Sequence, residues 1–122
     1  DDFGIFAGSE SFLLKTMQQG GAGCISATAN INPRNIYNVY KNWQKSNASY
    51  MQEEIDKVRY IVQKYPLIPA LKSIVSHFRE DSEWNILRPP LKELHPNESK
   101  KLISELEAIN FKIDHSSLDI SL

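Results

Sequence analysis

The sequence contains little cysteine: Cys24 is the one such residue among 122. A single thiol cannot form a disulfide within the chain, and it excludes a cysteine-rich metal site. A chain without disulfides is typical of a reducing compartment, and we therefore expect a cytoplasmic location. His77, His95 and His115 lie far apart and show no metal-ligand spacing, so we expect neither a metal site nor a cofactor.

The chain also lacks an excess of charge and a long apolar run. Its 14 Lys and Arg residues nearly balance 15 Asp and Glu residues. A dedicated nucleic-acid-binding protein normally carries a basic excess, so we expect no nucleic-acid partner. No apolar run approaches the roughly 18 residues that cross a bilayer, so we expect no membrane partner. The opening Asp1-Asp2 does not resemble a signal peptide.

The first 45 residues alternate short apolar runs with amphipathic stretches. Phe3–Ala7 predicts a buried strand, because the run is too short for a helix and ends in turn residues. Gly23–Ala29 predicts a second strand in a crowded interior, because its residues are small or β-branched. The connection between them is long enough for a parallel crossover, which is the pattern of an α/β fold. A helix is expected after each strand, the second beginning at Asn32-Pro33. The predicted inward residues are Phe12, Leu13 and Met17 in the first helix and Ile36, Val39, Tyr40 and Trp43 in the second.

The remainder of the chain predicts helices alone, so the protein should be predominantly helical. A long helix is expected with one apolar face, and Pro66 is expected to end it. The residues of this face are Met51, Ile55, Val58, Val62 and Tyr65. Pro69 is expected to open the next helix and Pro96 the last one, with a loop over residues 80–94. We predict three segments: two strand-and-helix units (1–45), a helical extension (46–113) and a tail (114–122).

Four stretches of sequence narrow this pattern to a family. Residues 6–10 (FAGSE) resemble the end of the seventh strand in the dihydrodipicolinate synthase and N-acetylneuraminate lyase family. Residues 20–33 resemble its following helix end, eighth strand and Asn-Pro helix start, and residues 69–72 and 88–91 are similar to two patches in its C-terminal helices. The resemblance implies an α/β fold: the C-terminal part of a (β/α)8 TIM barrel, with strands 7 and 8, followed by a helical extension.

The resemblance also implies a chemistry, that of class I aldolases. In this family a barrel lysine forms a Schiff base with pyruvate or another 2-keto acid, and a tyrosine moves the proton. Both residues precede the seventh strand, so neither has a counterpart here, and we expect no aldolase activity from this chain alone. Lys15 and Lys41 are predicted to be solvated residues of helix outer faces.

The resemblance places the candidate substrate-binding residues at the ends of the two strands, where barrel active sites lie. They are Gly8, Ser9, Glu10, Ile25 and Ala27. Each also has a purely structural interpretation: Gly8 suits a tight turn and Ser9 a helix N-cap. Cys24 is predicted to be a small core residue. Ala27 disfavours the sialic-acid branch of the family, which has serine there, and Ser9-Glu10 departs from the paired acidic residues of the lysine-biosynthesis branch.

Two further hypotheses stay open from the sequence. Two adjacent barrel strands leave unpaired edges and apolar faces, which predicts a structural module that self-associates or docks on an N-terminal companion. The last hypothesis is a small helical protein, for which the strand predictions would have to be wrong.

Overall fold

A computed structural model describes residues 2–113, which form two compact units, 2–57 and 58–113. The division between the two units falls inside the helix Ala48–Val62. The elements are β1 (Phe6–Ala7), α1 (Leu13–Gln18), β2 (Gly23–Cys24), α2 (Pro33–Asn42), α3 (Ala48–Val62), α4 (Leu67–Arg79) and α5 (Pro96–Ala108), with short 3-10 helices at Glu10–Phe12, Ala27–Asn30 and Ser82–Asn85.

The two strands of the first unit are parallel, as predicted, but shorter than predicted. The prediction that the first strand is buried is wrong, because Ile5 is 62% and Phe6 54% exposed. Phe6 pairs with Gly23 and Ala7 with Cys24. The ladder is extended on both sides, because Ala22 N–H donates to the Ile5 carbonyl at 2.7 Å and Ile25 N–H donates to the Ala7 carbonyl at 2.9 Å. Regular strand geometry stops after Cys24, and the chain turns into a 3-10 helix at Ala27.

The helix after β1 corrects one predicted core residue. A 3-10 turn over Glu10–Phe12 precedes α1, and Ser9 caps this turn by accepting a hydrogen bond from Ser11 N–H. The turn rotates Phe12 outward, leaving it 61% exposed, while Leu13 and Leu14 enter the core. Gly20 then adopts φ +84°, a left-handed conformation that favours glycine after a helix end.

The second helix begins where the Asn-Pro pair predicts. Pro33 is the first residue of α2, and Ile36 and Val39 are buried. The predicted side-chain cap is absent: Asn32 accepts instead from the Asn35 amide at 2.8 Å. Tyr40 was also predicted to face inward, but it is 43% exposed. The core of this unit contains Leu13, Leu14, Ile36, Val39, Ala48 and Ile55, with Met17, Cys24, Ala29, Trp43 and Met51 packed against it.

The second unit is helical. Pro66 is the residue before α4, and Pro69, predicted to open this helix, is buried within its first turn. His95 caps α5 through a capping box with Glu98, and Pro96 is the first residue of α5. The buried apolar residues of the second unit are Val58, Ile61, Val62, Ala70, Leu71, Ile74, Leu102, Ile103, Leu106, Phe111 and Ile113.

The predicted boundary between two barrel units (1–45) and a helical extension (46–113) stays a prediction. The tail at 114–122 lies outside the described residues.

Candidate functional site

The candidate site is formed by the turns that follow the two strands. Because β1 and β2 are parallel, both turns leave the same edge of the sheet. Residues 8–10 form the first turn and residues 25–27 the second. This carboxyl edge is where ligands bind in (β/α)8 barrels.

Glu10 and Ser26 join the two turns directly. Glu10 has no exposed surface, and its carboxylate accepts a hydrogen bond from the Ser26 hydroxyl. The Ser9 hydroxyl lies 3.5 Å from the same carboxylate oxygen while it also caps the 3-10 turn. A buried carboxylate requires such donors, because water no longer provides them.

Gln52, on α3, holds the backbone of the first turn. Its Nε2 donates to the Glu10 carbonyl and to Asp56 Oδ1, both at 3.0 Å. Its Oε1 accepts from Leu14 N–H, also at 3.0 Å. Gln52 is itself buried, with 8% of its surface exposed. The first helix of the predicted extension therefore contacts the turn that carries Glu10.

The other predicted site residues lie at the same edge in different environments. Gly8 is exposed, and a Cβ at this position would meet nothing within 4 Å. Ile25 is 74% exposed, and Ala27 is half-buried at the start of its 3-10 helix. The structure thus brings Ser9, Glu10 and Ser26 together. A pocket-lining role for Gly8, Ile25 and Ala27 stays a prediction.

Cys24 lies beside this cluster. Burial raises the pKa of its thiol, and the negative charge of Glu10 raises it further. A reactive cysteine requires the opposite shift, towards the thiolate. Cys24 packs against the core of the first unit, which confirms the predicted small core residue.

Residues 2–113 contain neither a buried lysine at the two predicted positions nor a metal-binding cluster. Lys15 and Lys41 are exposed, as predicted for outer-face residues. Over residues 2–113, no group of three or more His, Cys, Asp or Glu side chains is placed to hold a metal ion. None of the helices in this range is both long and apolar enough to cross a membrane.

Sequence reasoning missed Ser26 and Gln52. Ser26 lies between two residues that the resemblance singled out, Ile25 and Ala27. Gln52 could have been found from spacing: Ala48, Gln52 and Ile55 are separated by four and three residues, so they share one face of α3. A polar residue between two buried apolar ones on a helix face indicates a buried hydrogen-bonding role.

Comparisons with known proteins identify the family of this chain. Residues 1–109 match the sequence model of the dihydrodipicolinate synthetase family. The chain belongs to this family.

Two curated relatives are 4-hydroxy-tetrahydrodipicolinate synthases. The enzyme of Methanopyrus kandleri is 27% identical over 116 residues, which cover 89% of this chain and 37% of the relative. The enzyme of Bradyrhizobium diazoefficiens is 34% identical over 58 residues, covering 48% of this chain and 20% of the relative. The chain therefore spans well under two thirds of these relatives' length.

Solved structures give the fold. A prophage protein of the dihydrodipicolinic acid synthase family from Escherichia coli K12, in complex with pyruvate, matches with a TM-score of 0.77 and 24% identity, over 89% of this chain and 38% of that one. Dihydrodipicolinate synthase from Agrobacterium tumefaciens matches with a TM-score of 0.72 and 25% identity, over 88% and 36%. These are TIM-barrel chains, so the predicted fold class is confirmed as part of such a barrel.

Proposed function

We propose that this chain is the C-terminal segment of a Schiff-base aldolase or lyase that acts on pyruvate or another 2-keto acid. In this proposal the turns after β1 and β2 form one side of the ketoacid pocket. Gly8, Ser9, Ile25 and Ala27 line it, and the fully buried Glu10, bonded to Ser26, supports the first turn from within. The lysine that forms the Schiff base is outside these 122 residues.

The observation that carries the proposal is the Glu10–Ser26 contact at the carboxyl edge of two parallel strands. A fully buried carboxylate is costly to place unless donors surround it. A chain that needed only a turn at this point could use a smaller, uncharged residue. A buried acid at the edge where barrels bind ligands therefore favours a binding role.

The environment of the lysines supports inactivity of the chain alone. A Schiff-base lysine needs a lowered pKa, which requires burial or a neighbouring positive charge. Lys15 and Lys41 are exposed. Neither lies in the turns that follow the strands.

The test is borohydride trapping of the folded chain with pyruvate, followed by intact mass measurement. We expect no adduct on this chain, while the complete Agrobacterium tumefaciens enzyme gains one under identical conditions. An adduct mapped to a single lysine here would contradict the proposal and identify that lysine as the site. Adducts distributed over several lysines, formed at the rate of free lysine, would indicate non-specific reaction and would be consistent with the proposal.

A second candidate function is a module that associates with itself. It is favoured by exposed apolar side chains on and beside the strands: Phe3 (87%), Ile5 (62%), Phe6 (54%) and Ile25 (74%). Both strands of the two-stranded sheet are also edge strands, and such edges invite pairing with another chain.

Light scattering coupled to gel filtration separates the two candidates. Association of the chain that is lost on Ile25→Ser, and kept in the matched control Ile68→Ser on α4, supports the module. A monomer at all concentrations contradicts it. Docking on an N-terminal companion would instead give association only when the residues that precede the seventh strand in the family are supplied as a separate chain.

A further inference from the structure

The amide of Gln52 forms hydrogen bonds with two backbone groups, the Leu14 N–H and the Glu10 carbonyl. Leu14 N–H lies in the first turn of α1, where amide hydrogens have no acceptor within the helix. The Glu10 carbonyl accepts from Leu13 N–H and from Gln52. Gln52 reaches both from positions 38 and 42 residues away in the sequence.

We propose that Gln52 is a positioning residue of the candidate pocket: it fixes the Glu10 turn against α1 and so keeps the Glu10 carboxylate beside Ser26. Gln52 acts through Glu10 and has no contact with substrate in this proposal. The inference rests on the proposed function in one respect, namely that the turn containing Glu10 belongs to a substrate pocket. The hydrogen-bond geometry stands without it.

The chemistry of the amide group explains why glutamine occupies this position. One side chain must accept from Leu14 N–H and donate to the Glu10 carbonyl, and a primary amide does both. Its second N–H donates to Asp56 on the next turn of α3, which fixes the orientation of the amide. A carboxylate at position 52 has no donor, and an apolar side chain has neither group.

Cys24 provides a readout that a merely structural role would not move. It is the single thiol of the chain, and the nearby charge of Glu10 raises the pKa of this thiol, after the larger effect of burial. Movement of the Glu10 carboxylate away from its position therefore lowers the Cys24 pKa. The pH dependence of alkylation with iodoacetamide measures that pKa directly.

The experiment is a double-mutant cycle with Gln52→Met, Glu10→Gln and the two combined. Methionine keeps the length of the side chain and removes both hydrogen-bonding functions. We expect each single variant to lower the Cys24 pKa and so to increase the thiolate fraction near neutral pH, because the negative charge beside the thiol is moved or removed. In the Glu10→Gln background, Gln52→Met should have no further effect, because the charge that it positions is gone.

Two outcomes of the cycle would overturn the proposal. An equal fall of the Cys24 pKa in both backgrounds means that Gln52→Met acts by exposing the thiol. No fall in either background means that Gln52 does not hold the Glu10 turn. The matched control is Gln44→Met, at an exposed glutamine of the same unit, which should leave the Cys24 pKa unchanged.

A measurement on the unchanged chain covers the case in which Gln52→Met fails to fold. Hydrogen exchange of the Leu14 amide should be slow, because the amide is buried and bonded to Gln52. Exchange at the rate of an unstructured peptide overturns the proposal. Neither measurement involves pyruvate, so failure of the Schiff-base proposal and failure of this one are distinguishable.

Discussion

Ser26 donates a hydrogen bond to the Glu10 carboxylate, and this contact joins two turns that lie 16 residues apart in the chain. Each turn follows a different strand, so the contact closes the carboxyl edge of the sheet. Because Glu10 has no exposed surface, a lost donor is not replaced by bulk water without a structural change.

Ser26→Ala should therefore lower the free energy of unfolding by about 1–3 kcal/mol, the usual cost of removing one partner of a buried hydrogen bond. Urea unfolding followed by circular dichroism measures the change. Ser104→Ala, at an exposed position of α5, is the control and should be neutral or slightly stabilising, because alanine favours helix. Equal effects of the two substitutions would show that the Ser26 hydroxyl is dispensable.

Gly21→Ala should destabilise the first unit, because the backbone approaches this glycine closely. A Cβ at Gly21 would lie 2.9 Å from the Thr16 carbonyl oxygen and would also collide with the Thr16 methyl group. Overpacking of this kind costs about 1–3 kcal/mol. Gly8→Ala is the matched control, since a Cβ there meets nothing within 4 Å. Equal melting temperatures of the two variants in a thermal unfolding experiment would contradict the prediction.

Tyr65 should titrate at unusually high pH. Burial, followed by its hydrogen bond to Glu105 at 3.0 Å, raises the pKa of Tyr65 to about 12. The alkaline absorbance difference between the chain and Tyr65→Phe isolates this transition among the five tyrosines. The shift also affects stability: the contribution is full below the unfolded pKa of 10.0 and is lost as pH rises towards 12. A difference titration centred near pH 10 would disprove the shift.

Glu105 should make the second unit sensitive to acid. The hydrogen bond from Lys64, at 2.7 Å, lowers the pKa of this carboxyl, and the bond from Tyr65 adds to the effect. A lowered folded pKa gives stability that is present above the ordinary value of 4.5 and is lost as pH falls through the folded value.

Glu105→Gln should therefore weaken the decline in unfolding free energy between neutral pH and about pH 3. Glu93→Gln, at an exposed loop position, is the control and should leave this decline as it is. If the unfolding free energy of Glu105→Gln declined with falling pH as steeply as that of the unchanged chain, the Lys64 contact would contribute nothing to stability.

The sequence predicted the elements whose boundaries have strong local causes. Pro33 and Pro96 each occupy the first position of a helix, where a missing N–H costs nothing and a fixed φ is already helical. The parallel strands followed from a connection too long for a hairpin. For the two helix starts, the cause lies within a residue of the element it explains.

Features that depend on tertiary contacts were not predictable in this way. Phe12 was predicted to face inward, but the 3-10 turn before α1 changes the rotation per residue and turns it outward. The partner of Glu10 was missed for a related reason. The spacing of residues along a strand says which side a residue faces, and it does not say that Ser26 bonds an acid from another turn. The cytoplasmic location and the pocket-lining roles stay predictions.

The exposed apolar side chains around the strands have a calorimetric consequence. Phe3, Ile5 and Ile25 are each more than half exposed in this structure, so unfolding hydrates little additional surface from them. The heat capacity increment of unfolding should accordingly fall below the value typical of the chain's length, because that increment scales with newly hydrated apolar area. Whatever molecule or segment covers these side chains will carry the missing part as a negative heat capacity of binding.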